Sequence, residues 1–219
     1  MTKDLPILVS LTVAHIKVVL TKAEAGHDWW HTYRVWQNAK TIAAGEPVNG
    51  LVVELAALLH DIADSKFHYG NEEAGPQAAL QFLKRIQAPE DITAHVVQIV
   101  RHISFKGGNE KVTWTSPELR VVQDADRLDA IGAIGIARAF SYGGYKGRSF
   151  YDPDVKPDMH LSKEAYKNST APTINHFYEK LLLLKDRMHT QTAKKLAESR
   201  HAFLLTYLDQ FFAEWEGKA

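Results

Sequence analysis

The chain of 219 residues contains no cysteine. That absence excludes disulfides, thiolate zinc sites, iron–sulfur clusters and a cysteine nucleophile. Nor is there an excess of charge: 26 lysines and arginines balance 26 aspartates and glutamates. Long-range attraction to DNA, RNA or anionic lipid is therefore not indicated. The opening stretch MTKDLPILVSLTVAHIKVVL has no small-residue cleavage pattern, and His15 and Lys17 interrupt its apolar run well short of a membrane span. It reads as a first core helix of a cytoplasmic protein with no membrane partner. Glycine-rich phosphate loops of the Walker type and a GxSxG nucleophile elbow are both missing.

What is present points to helices around a real core: 45% of residues are hydrophobic and 24% charged, as in ordinary globular proteins. Apolar residues recur at three-to-four spacing over 6–24 and 28–44, where Gly45-Glu46-Pro47 stops the run. A short, very apolar helix is predicted over 51–60, central to the fold. Further helices are predicted over 72–87 and from Pro89 through Ile103, with a turn at Lys106–Asn109. Ser116-Pro117-Glu118 opens a long helix over about 117–140. Residues 141–160, with three glycines and two prolines, read as a long loop before helices over about 172–189 and 190–215. No alternating β-branched pattern competes. The expected fold is all-α, one domain over 1–219.

Eleven histidines make imidazole and carboxylate the plausible strong metal ligands. The segment Leu55–Ser65, LAALLHDIADS, ends an apolar helix in an adjacent His60-Asp61 pair. Upstream, Asp28, His31 and Arg34 are three apart and share one helix face, with Trp30 and Val35 expected to anchor that helix in the core. Downstream, Asp126 lies within the apolar run VVQDADRLDAIGAIGIA. Each segment alone has a plain structural reading: Asp28 as a first-turn dipole partner, His31 as a satisfied buried histidine, Asp61 facing water, Asp126 beside Arg127. A carboxylate on an apolar helix is nevertheless expensive to bury unless it is paired or coordinates a cation. One shared divalent ion explains all three segments at once, leaving one or two positions for water and substrate.

This order, H…HD…D, resembles the HD-domain superfamily of metal-dependent phosphohydrolases over roughly residues 20–140. The wording of GNEEAG and DADRLDAIGAIGIARAF is similar to a bacterial branch that includes nucleotide pyrophosphohydrolases. The resemblance implies one divalent metal ion (Mn, Mg, Co, Ni, Fe or Zn) held by His31, His60, Asp61 and Asp126. It implies Asp64 as the group that positions or deprotonates the attacking water, with Glu73, beside Glu72, as its competitor. Fixed positive charge for phosphates is expected first from Arg34, then from Arg101, Lys106, Arg127, Lys146 and Arg148. Tyr145 and Phe150 could stack on a base, and His102 could contact phosphate. The implied reaction takes a (d)NTP to its monophosphate and pyrophosphate. Alternatives are a nucleoside monophosphate phosphatase, a di-iron oxygenase recruiting His95 or His102, and a metal-stabilised binding protein. The expected partner is a small nucleotide substrate, with no nucleic acid specifically indicated. Phe211, Phe212 and Trp215 suit either core or a homodimer contact.

Overall fold

The computed structural model describes residues 5–22, 28–63, 71–103, 114–159 and 169–219. Its helices are α1 Leu5–Val19, α2 Trp29–Ala43, α3 Gly50–Leu59, α4 Ala74–Arg85, α5 Glu90–His102, α6 Pro117–Asp129, α7 Gly132–Tyr145, α8 Thr173–Glu179 and α9 Gln191–Trp215. The fold is all-α, with no strand among the described residues. No helix among them is long and apolar enough to cross a membrane. The chain divides into two compact units, Met1–Asp126 and Arg127–Ala219.

In the first unit α3 is the central element, as its apolar sequence predicts. Val52, Val53, Leu55, Ala56, Ala57, Leu58 and Leu59 are all at most 1% exposed, and α1, α2 and α5 pack around them. Side-chain caps fix where the helices begin. Asp28 Oδ1 accepts from the His31 amide at 2.9 Å, Asn49 Oδ1 from Leu51 and Val52, and Ser116 Oγ from Leu119. Each satisfies a first-turn N–H that the helix itself leaves unpaired.

At the end of α4, Gln87 adopts φ 58°, and the amide of Ala88 reaches back to the Leu83 carbonyl at 3.0 Å. A left-handed residue just past a helix is the position glycine fills without steric cost. Gln87→Gly is expected to raise unfolding stability by about 0.5–1 kcal/mol, measured by urea denaturation; a loss of that size would contradict the assignment.

Four expectations need correction. The helix expected over 117–140 is two helices, because Gly132 turns the chain at φ +73°. A Cβ there would press on the Arg200 side chain at 3.1 Å, and one on Gly135 would lie 2.3 Å from the Ala130 carbonyl oxygen. The expected loop from 141 begins late, since α7 continues to Tyr145. Trp30 does not anchor α2: it is 61% exposed, whereas Val35 is fully buried as expected. The segment 172–189 also proves irregular, with α8 followed by two 3₁₀ turns, Leu181–Leu183 and Lys185–Arg187.

In the second unit α7 packs on α9 and α8. Phe140, Phe177 and Tyr207 form an aromatic core with ring centroids 5.8–6.1 Å apart. Phe211, Phe212 and Trp215 gather on Tyr151 at 5.1–6.2 Å. The turn between α6 and α7 is stapled by Arg138 on buried Asp129 and by Arg200 donating to the Leu128 carbonyl.

Candidate metal centre

Three segments of the first unit converge on one point. α2 brings His31 in its first turn, the end of α3 brings His60 and Asp61, and α6 brings Asp126 near its C-terminus. His31 and His60 are buried, with relative exposures of 1% and 6%. Their Nε2 atoms stand 3.3 Å apart. Asp61 Oδ2 lies 3.6 Å from His31 Nε2 and 3.4 Å from His60 Nε2. Asp126 Oδ1 lies 3.5 Å from His31 Nε2.

These separations fit a bound cation. Nitrogen and oxygen ligands held at about 2.0–2.2 Å from a divalent ion lie about 3.0–3.6 Å from one another at angles between octahedral and tetrahedral. The donor orientation fits as well. His60 Nδ1 pairs with the Ala57 carbonyl at 2.8 Å, and that bond fixes the ring and leaves the Nε2 lone pair for the centre when the imidazole is neutral. The Asp61 side chain is 17% exposed and that of Asp126 is 46% exposed, so the cluster is closed by imidazoles and open on the Asp126 side.

Without a cation, the proton must answer the two carboxylates. Burial alone would lower the His60 pKa, but Asp61, Asp126 and the Ala57 carbonyl together raise it from 6.5 to about 9. A pKa raised by folding contributes stability that is fully present below 6.5 and is lost as pH rises through about 9. The metal-free protein is therefore expected to lose melting temperature steadily between about pH 7 and pH 9.5, and saturating Mn²⁺ to remove that slope by displacing the proton. Identical pH profiles with and without the cation would contradict proton and metal sharing this nitrogen.

The other expected site residues are placed as follows. Arg34 is half-buried one turn beyond His31 on α2. Glu73 takes a bidentate bond from Arg101, at 2.9 and 2.7 Å. His95 Nε2 faces Ser116 Oγ at 3.0 Å and Glu118 at 3.4 Å. His102 pairs with the Gln98 carbonyl and lies 5.3 Å from the Trp114 ring. Neither histidine is in the four-residue cluster, so neither supports the second iron an oxygenase would need. In the second unit, Arg127 donates to the Arg187 carbonyl at 3.0 Å, and Arg148 donates to the Ser169 carbonyl. Lys146 lies over the exposed rings of Tyr142 and Tyr145. Asp64, Lys106 and the expected turn at 106–109 fall outside the described residues.

The sequence assigns no site role to Asn38, and to Glu118 only a place in the signal that opens α6. Asn38 Nδ2 donates to the Ala125 carbonyl at 3.2 Å, and Glu118 Oε1 accepts from the Asn49 amide at 3.0 Å. The only sequence signal for Asn38 is its spacing of two turns from His31, on the same face of α2.

An all-helical protein that gathers His31, His60 and Asp126, with Asp61 beside both imidazoles, has the make-up of a metal-dependent hydrolase. The HD domain model matches residues 29–131, which contain all four of these residues. The chain is 37% identical over 196 residues to the uncharacterized protein YpgQ of Bacillus subtilis (strain 168), covering 89% of this chain and 87% of that protein. It is similar to the crystal structure of an HD-superfamily hydrolase from Bacillus thuringiensis, with TM-score 0.78 and 40% identity over 97% of this chain and 99% of that one. It is also similar to the structure of Bacillus subtilis YpgQ in complex with ADP, with TM-score 0.75 and 34% identity over 96% of each chain. The chain belongs to the HD superfamily and is a metal-dependent phosphohydrolase.

Proposed function

We propose that the protein hydrolyses nucleotides, converting a (d)NTP to the (d)NMP and pyrophosphate at the His31–His60–Asp61–Asp126 cluster. The convergence of four donor atoms from three segments carries this reading. Support for a nucleotide as substrate comes from the ADP complex of the similar Bacillus subtilis protein.

A divalent ion in this cluster would supply Lewis acidity, making water a better nucleophile near neutral pH and offsetting charge on the phosphates. The protein's part is to hold and orient. Ala57 keeps the His60 Nε2 turned inward, and Asp28 caps the turn that presents His31. Asp64, three residues after Asp61 in the sequence, takes the proton from the attacking water. Glu73 is the weaker acceptor, because a guanidinium already occupies both of its oxygens. Arg34 holds the phosphates remote from the attacked phosphorus. Substrate roles for His102, Lys106, Arg127, Tyr145, Lys146 and Arg148 rest on the sequence alone.

Product analysis tests the reaction. With Mn²⁺ and each of the four NTPs and four dNTPs, pyrophosphate and the monophosphate are expected in equal amounts. Orthophosphate released from monophosphates alone would select the phosphatase reading and overturn this one.

A further inference from the structure

The three metal-ligating segments must stay in register with one another, and α6 carries the ligand least held by its own surroundings. The Asp126 side chain is 46% exposed, against 1% for His31 and 2% for His60, so packing around the carboxylate does little to place it. Its position has to come from the backbone of α6. Apolar packing of Leu119, Val121, Val122 and Ala125 decides which face of α6 turns inward, but such packing is non-directional and tolerates sliding. Directional bonds are what fix rotation and height.

One such bond falls beside the ligand. Asn38 Nδ2 donates to the carbonyl of Ala125, the residue preceding Asp126, at 3.2 Å. Asn38 stands on α2, two turns after His31 on the same face. A carbonyl oxygen has two lone pairs, so Ala125 can accept this bond in addition to its helical partner. The bond thus ties the helix that carries His31 to the turn that carries Asp126. At the other end of α6, Glu118 accepts from the amide of Asn49, the N-cap of α3, whose far end leads into His60 and Asp61. The near bond controls the ligand; the far one anchors the helix.

We infer that Asn38 is a positioning residue for the metal centre, acting through the Ala125 carbonyl to hold Asp126 at its distance from His31. The inference rests on the four-residue cluster being the metal site. Loss of partners that orient metal ligands typically weakens metal affinity about tenfold to a hundredfold.

The test is calorimetric titration of Mn²⁺ into metal-free protein, with thermal unfolding of the same samples. Wild type, Asn38→Leu, Asn38→Asp and His60→Ala are compared. Asn38→Leu keeps the branched outline and removes the donor, and Asn38→Asp sets a carboxylate against the carbonyl. The Kd for Mn²⁺ is expected to rise about tenfold in Asn38→Leu and further in Asn38→Asp, with one ion per chain at saturation. A variant that unfolds at lower temperature yet binds Mn²⁺ as wild type does would reduce Asn38 to a structural residue and overturn the inference alone. Equal binding by wild type and His60→Ala would overturn the site and the inference together.

Discussion

Asp61→Ala is expected to lower hydrolysis at least about a thousandfold while leaving the helices intact. The Asp61 carboxylate oxygen lies 3.6 Å from the His31 Nε2 and 3.4 Å from the His60 Nε2. Its removal takes one negative charge from the centre and leaves two neutral imidazoles with a half-exposed Asp126. That set both binds a divalent ion weakly and places it loosely. The fold should survive, because Asp61 stands beyond α3, whose last residue is Leu59 and whose C-cap is His60. Asp126→Ala should give a comparable loss of turnover. Circular dichroism alongside kcat/KM separates the two effects, and wild-type turnover in both variants would contradict the assignment.

Gly135→Ala should strongly destabilise the second unit. A Cβ at that position would sit 2.3 Å from the Ala130 carbonyl oxygen and 2.5 Å from its carbon. Both atoms are backbone, so relief requires moving the first turn of α7 away from the end of α6, and with it the Arg138–Asp129 pair. A loss of about 2–4 kcal/mol is expected in urea unfolding. Gly144 is the internal control: nothing lies within 4 Å of a Cβ there, and Gly144→Ala in the last turn of the same helix should be neutral or gain up to about 1 kcal/mol. Equal effects at the two positions would show that close approach at Ala130 does not govern this corner.

Periodicity and spacing carried much of this fold. The run LAALL announced a helix buried on every side, and α3 is that helix. The sequence spacing put His60 and Asp61 with His31 before and Asp126 after; His31, His60 and Asp126 gather in space, with Asp61 beside both imidazoles. The break at Gly132 was harder to read, because IGAIGIA keeps an apolar period straight across it. Only the backbone angle and the closeness of Ala130 reveal that the two glycines are a corner rather than tolerated helix residues. Trp30 misled for a related reason: an aromatic next to a ligand suggests a core contact, yet consecutive helical residues point about 100° apart, and burying His31 turns Trp30 outward. Asn38 and Glu118 had no signal at all beyond position. A polar residue on a helix gives away its partner only when the partner, 87 residues away in the case of Ala125, is seen.

Catalysis is expected to require a single cation at the His31–His60–Asp61–Asp126 cluster. The direct measurement is turnover of a nucleoside triphosphate by chelator-stripped protein as Mn²⁺ is added back in steps. Activity should be absent at the start, rise with bound metal and reach its plateau at one ion per chain, with pyrophosphate as the product. Undiminished turnover by the stripped protein would contradict it.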